Sequence, residues 1–161
     1  MIVDSFKFFP APFAPTTKGA VHSQARRNLS GRHLKIALLT SSGMYIKRSQ
    51  ASFDLEHEQT HPEWGDPTWR AIPSSATAAE IGVAHLHLND EDLLADPEIA
   101  LPMHLLGQLE RERLVGGATA DHLSVMGYQE AKLFEWRQTA APELIAHLRE
   151  QGASGLILAP A

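Results

Sequence analysis

Apolar residues follow two different periods along the chain, and the switches between them mark out its elements. Lys35-Ile36-Ala37-Leu38-Leu39 is a short, nearly continuous apolar run, the pattern of a strand buried on both faces of a parallel sheet. Gly155-Leu156-Ile157-Leu158-Ala159 has the same character and predicts a second such strand. Residues 81–88 alternate instead. Val83, His85 and His87 fall on one face and Ala84, Leu86 and Leu88 on the other, which predicts a third strand. Trp69-Arg70-Ala71-Ile72 reads as a short strand closed by Pro73, and His122-Leu123-Ser124-Val125-Met126 as one more.

Helical spacing takes over between these runs. Leu101, Leu105, Leu106 and Leu109 form a stripe that predicts a helix over 101–113, ended by Gly116-Gly117. A second helix carries Leu144, Ile145 and Leu148 on one face, with Thr139 as N-cap, Pro142 in its first turn and Gly152 at its C-cap. Shorter helical turns start at Asp92 and at Asp96-Pro97. The order strand, helix, strand, helix, strand predicts a single α/β domain with right-handed crossovers. Its sheet is mainly parallel with flanking helices, a flavodoxin-like or Rossmann-like layering.

Two stretches lack a period. Residues 43–80 read as a long loop, kept ordered by Phe53, Trp64, Trp69 and Ile72. Residues 1–33 hold Phe6, Phe8, Phe9 and Phe13 among Pro10, Pro12 and Pro15, which forbid regular helix. They read as an extended N-terminal arm and linker; packing across its own domain is the first expectation and docking on a partner the second. The α/β domain is residues 34–161, and nothing follows its last strand to cover it, so it is expected to be incomplete at the C-terminus.

Composition narrows the class. The 161 residues are 43% apolar and 20% charged, as in an ordinary globular domain. A net charge of −5 without a basic cluster argues against nucleic acid. No apolar run reaches the roughly 18 residues of a membrane span and no signal-peptide pattern opens the chain, so neither a membrane nor an export route is expected and the location reads as cytoplasmic. With no cysteine there is no thiolate nucleophile and no Cys–metal site.

Candidate chemistry gathers where strands end. The first strand empties into Thr40-Ser41-Ser42-Gly43, small residues that turn the chain and expose N–H groups, and in open α/β sheets ligands bind beyond such carboxyl ends. His85 and His87 sit near another strand end, and His122 stands beside Asp121. Asp66 and Arg70 read as an ion pair that fixes the long loop, and secondarily as a clamp for a substrate carboxylate. His57-Glu58-Gln59-Thr60-His61 matches the zinc-hydrolase pattern of two histidines one helical turn apart with a glutamate base. Pro62 and the charged flanks Asp54, Glu56 and Glu63 make a solvated loop the better account, so no metal is expected at His57 and His61. No dinucleotide fingerprint or P-loop is present.

The same residues carry a family resemblance. Val3-Asp4-Ser5-Phe6-Lys7-Phe8 and Ala37-Leu38-Leu39-Thr40-Ser41-Ser42-Gly43-Met44-Tyr45-Ile46-Lys47 resemble the opening of selenoprotein B subunits of the glycine, sarcosine, betaine and D-proline reductases. The likeness continues through Ser52-Phe53-Asp54-Leu55-Glu56 and Trp64-Gly65-Asp66-Pro67-Thr68-Trp69-Arg70-Ala71-Ile72-Pro73. It runs on through His85-Leu86-His87, Asp96-Pro97 with Pro102, His122-Leu123-Ser124-Val125-Met126-Gly127-Tyr128 and the strand ending at Pro160.

The resemblance implies a cytoplasmic subunit of a hetero-oligomeric reductase, working with other subunits on a small amine or amino acid such as glycine, betaine, sarcosine or D-proline. It implies reductive cleavage of a C–N bond by a selenocysteine or cysteine just past the last strand. A pyruvoyl group on a partner subunit is implied for the glycine and D-proline systems. This chain carries no such nucleophile and stops at Ala161, so truncation at a recoded selenocysteine codon is expected. The rival expectation is a non-catalytic binding or assembly paralogue, and a zinc hydrolase is the remote one. Within the chain the expected cleft residues are Thr40, Ser41, Gly43, Asp66, Arg70, His85, His87, Asp121 and His122.

Overall fold

The computed structural model describes residues 31–129 and 131–161 as an α/β domain whose sheet is built around one central strand. That strand, β1 (Lys35–Thr40), buries Ile36, Ala37 and Leu38 in succession, so both of its faces are covered. The expected arm and linker over residues 1–33 lie outside the described residues except for a single 3-10 turn, Gly31–His33, that leads into β1.

In chain order the elements after β1 are β2 (Met44–Ile46), α1 (Leu55–Thr60), β3 (Trp69–Pro73), β4 (Ile81–Val83), α2 (Asp90–Ala95) and α3 (Met103–Arg111). Then come β5 (Gly117–Ala118), β6 (Asp121–Val125), α4 (Leu133–Glu135), a π-helical turn (Trp136–Ala140), α5 (Ala141–Glu150) and β7 (Gly155–Ala159). Residues 43–80 are therefore not one loop; besides β3, which the sequence indicates at Trp69–Ile72, they hold β2 and α1, each too short to show a period.

Among the described residues the main sheet has five strands. β7 runs parallel along one flank of β1, from Ile36↔Gly155 to Thr40↔Ala159. The other flank is shared end to end by two parallel strands, β5 at Lys35 and Ile36 and β6 at Leu39 and Thr40. β3 lies antiparallel on the far side of β6, with Trp69 opposite Val125 and Pro73 opposite Asp121. β2 and β4 form a separate antiparallel ribbon in which Tyr45 faces Gly82. A Cβ at Gly82 would lie 2.5 Å from the Tyr45 ring, so the glycine lets that ring lie against the ribbon backbone.

Period-2 alternation along β1 sorts the core into two layers. Ile36 and Leu38 pack with Met44, Ile72, Leu101 and Leu106 on the side of α2 and α3. Ala37, Leu123 and Val125 pack with Leu144 and Leu148 of α5 on the other. α3 begins only after Pro102, two residues later than the apolar stripe predicts, because a residue preceding proline is pushed out of helical conformation. Its first free amides are held by Glu98, whose carboxylate accepts from His104 N–H at 2.8 Å. Thr139 is not an N-cap: it stands exposed inside the π-helical turn that runs straight into α5. Gly152 ends α5 with a φ of 69°, as its sequence position predicts.

Among the described residues β7 is an edge strand of the sheet, and its side chains are open on both faces: Leu156, Ile157 and Leu158 are 41%, 48% and 60% exposed. Among the described residues no helix is long and apolar enough to cross a membrane.

Candidate functional site

Because β1, β6 and β7 are parallel, their carboxyl ends open on one side of the sheet. There the Ala161 N–H donates to Ser41 Oγ at 3.0 Å, tying the tip of β7 to the turn after β1. Leu88, Asn89, Asp92 and Ala100 close over Pro160 and Ala161, leaving a cleft of about 270 Å³. The turn between β4 and α2 thus covers the β7 tip.

The Thr40–Gly43 turn spends its Ser42 and Gly43 amides inside the protein. Thr40 and Ser42 are fully buried and bonded to each other through their hydroxyls at 3.1 Å. Ser42 N–H donates to Thr40 Oγ1, Gly43 N–H to the Val125 carbonyl, and Met44 N–H to Ser124 Oγ at 2.7 Å. Gly43 is required by the backbone, with a φ of 67° and a virtual Cβ 2.2 Å from the Ala84 carbonyl oxygen. Of this turn only Ser41 is accessible at the cleft.

His85 and His87 are near this side but not on a strand. β4 stops at Val83 and the chain turns, so that His87 N–H donates to His85 Nδ1 at 3.1 Å and the rings stand edge to face 6.0 Å apart. His85 is half-buried; burial pushes its pKa below the usual histidine value, the charge of His87 adds to this, and Asp90 opposes it. It is therefore a neutral base at ordinary pH, with Nδ1 already an acceptor. His87 is exposed.

Asp66 and Arg70 do not form the expected ion pair. The buried Asp66 carboxylate accepts from Asp54 N–H at 3.1 Å and from both the N–H and the hydroxyl of Thr68. The Arg70 guanidinium lies 4.3 Å over the Phe53 ring and donates to the Ala51 and Ser52 carbonyls. It also donates to Thr68 Oγ1 at 2.7 Å, so that hydroxyl joins the two charged groups. Both residues strap the 51–54 segment to β3, and neither faces the β7 tip with a free group.

Asp121 and His122 also stand apart from the cleft. Asp121 opens β6, at the amino end of the parallel strands, where its carboxylate lies 3.2 Å from His147 Nε2 and accepts from Gln151 Nε2. His122 is fully buried inside the sheet. β5 and β6 are separated by Thr119-Ala120, and in that gap Leu38 N–H donates to His122 Nδ1 at 3.2 Å. The imidazole replaces a carbonyl that the ladder lacks. Its Nε2 has no hydrogen-bond partner among the described residues.

His57 and His61 lie on the solvent side of α1, with rings stacked 4.2 Å apart and the Trp64 ring edge-on to His57 at 4.3 Å. His61 already leaves the helix, at φ −134°, and its Nδ1 lies 3.2 Å from the His57 carbonyl. Glu58 turns the other way and is 3% exposed. The two imidazoles and the carboxylate of the motif therefore do not converge. Purified protein is expected to carry well under one zinc per chain by elemental analysis, and His57→Ala to leave the metal content unchanged. Near-stoichiometric zinc lost in that variant would overturn this.

Glu58 is also the residue that motif reading misplaced. Its position three residues after Leu55 on a short helix marks it as inward-facing, a signal the zinc pattern obscured.

No family model and no solved structure matches the chain. It is similar to D-proline reductase subunit gamma of Acetoanaerobium sticklandii, 23% identical over 147 residues, which make up 91% of this chain and 55% of that subunit. The chain thus spans about half the length of this curated relative. The relation is distant, and it is to a protein named as one subunit of an assembly.

Proposed function

We propose that this chain is part of a selenoprotein-B-type subunit of an amino-acid or amine reductase, which takes part in reductive cleavage of a C–N bond. The observation that carries the reading is the similarity to a D-proline reductase subunit, because it runs along 91% of the chain rather than through one motif. Glycine, sarcosine, betaine and D-proline are the substrate class, and the other reductase subunits, one of them bearing a pyruvoyl group in some systems, are the partners. The cytoplasm is the proposed location.

The reacting cleft in this reading is the one at the β7 tip. A selenolate or thiolate of the complete subunit, held just past that tip, would supply a soft nucleophile for the carbon that bears the amino group. The chain's own groups act around it. Ser41 holds the tip through the Ala161 N–H. The exposed His87 is the group able to pass a proton to the departing amine, and the neutral His85, whose Nδ1 accepts the His87 N–H, positions it. Thr40, Gly43, Asp66, Arg70, Asp121 and His122 serve the scaffold. The open edge of β7 is the seam at which the rest of the subunit packs, in keeping with a relative of which the chain spans 55%.

A non-catalytic assembly paralogue is the second reading, favoured by the absence of any cysteine from the 161 residues. The nucleotide sequence after the Ala161 codon separates the two. UGA followed by an open frame encoding further strands and helices supports the reductase; UAA or UAG with no frame beyond it supports the paralogue. In an assembled reductase, His87→Ala is expected to lower kcat by about a hundredfold, the usual weight of a general acid, whereas His57→Ala leaves it unchanged. Equal loss in both variants would remove the proposed proton donor.

A further inference from the structure

α1 forms one wall of a second cleft, of about 460 Å³, between Ser52–Glu56 and the β2–β4 ribbon, where Tyr45 and Val83 line it. That wall is held from behind by an unusual group. Both carboxylate oxygens of Glu58 are buried and neither has a hydrogen-bond partner among the described residues. An ionised carboxylate without donors does not stay buried at low cost; it either takes up a proton or moves to water.

We infer that α1 is an acid-latched wall: protonated, the Glu58 carboxyl stays tucked under the helix, and ionised, it draws α1 away from the body and widens the cleft beside Phe53. The neighbouring charges fit this arrangement. His87 faces Glu58 from the turn after β4 and Asp66 from the turn before β3, while Glu56 and His57 on α1 itself point to solvent. Burial raises the Glu58 pKa above the ordinary carboxylate value, with Asp66 adding to the rise and His87 opposing it. The helix is only six residues long and is capped by the bond from His57 N–H to Asp54 at 3.0 Å; it is anchored at that end, where Asp54 N–H donates to Asp66 and Leu55 packs against the Phe53 cluster, so the movement pivots there. The inference stands whether or not the reductase reading does.

The sign follows from linkage. A carboxyl whose folded pKa is raised binds more protons in the native than in the unfolded state, so stability falls as pH rises through that interval and is level above it. Hydrogen exchange of residues 54–61, followed by mass spectrometry from pH 5 to 9, reads the wall directly. The chain is expected to lose protection there as pH rises, beyond the intrinsic hydroxide-catalysed increase, while Glu58→Gln keeps it. His87→Ala removes the charge that favours ionisation, so the loss shifts to higher pH, and this arm serves if Glu58→Gln does not fold. Exchange that is identical in Glu58→Gln and the parent, or a transition that does not move in His87→Ala, overturns the inference.

Discussion

Acidifying the protein from pH 6.5 to pH 4 is expected to cost on the order of 3 kcal/mol of stability through His122 alone. The imidazole is 0% exposed and its Nδ1 accepts the Leu38 N–H, which only the unprotonated nitrogen can do. Burial pushes its pKa down from 6.5 to about 4, against the pull of the Asp121 charge. The unfolded chain therefore takes up the proton near 6.5 and the folded chain only near 4. Between these values the native state binds fewer protons, so stability rises with pH, is complete above 6.5 and is lost progressively toward 4. At about 1.4 kcal/mol per pH unit, that interval gives the stated magnitude.

Melting temperatures of the parent and His122→Asn across this range test it. The asparagine side chain can accept the Leu38 N–H but does not titrate, so the difference between the two profiles should narrow as pH falls. His122→Leu should lose about 2 kcal/mol or more at pH 7, because it strands the Leu38 donor in the core. Parallel pH profiles in parent and asparagine variant would show that His122 is not the acid-labile group.

His122 also shows where the sequence stops being readable. Its neighbours Leu123 and Val125 announce a strand, and β6 is one. That the strand pairs with β1 only after a gap, and that an imidazole fills the gap, depends on Thr119-Ala120 failing to continue β5; this is a tertiary fact with no local pattern. The long runs were legible for the opposite reason. β1 and β7 need both faces apolar, and α5 needs Leu144 and Leu148 one turn apart, so their periods survive in the sequence.

Shorter elements left no such trace. β2 and β4 have three residues each, and the alternation of Val83, His85 and His87 was a continuation in pattern only, since the chain turns after Val83. At the site the same limit applies. Asp66 and Arg70 are four apart and opposite in charge, which suggests an ion pair, but the Thr68 hydroxyl between them satisfies both. Proximity of the β7 tip to Ser41 was the readable part, because parallel strands must end on one side.

Covering the outer edge of β7 is expected to raise the melting temperature by roughly 5–15 °C. Register sets which face each exposed side chain belongs to. Leu156 and Leu158 sit beside Ala37 and Leu39 and extend the layer under α5; Ile157 sits beside Leu38 and extends the layer under α2 and α3. Both layers are thus unfinished at the same edge. Full burial of such a side chain contributes about 1.5–3 kcal/mol, and these three are about half exposed already, so a covering segment adds about 2–4 kcal/mol in all. In a chain of this size each kilocalorie moves the melting temperature by about 2–4 °C. In the proposed reading the cover is the remainder of the reductase subunit, so the comparison is between this chain and one extended through a frame beyond Ala161. A Leu156→Lys/Leu158→Lys double variant sharpens it. Those side chains are about half buried already, so the change should cost the 161-residue chain at most about 1.5–3 kcal/mol, less what the lysine stems recover, while removing most of the gain from the extension. If the extended and unextended chains melt together, the seam is not at β7.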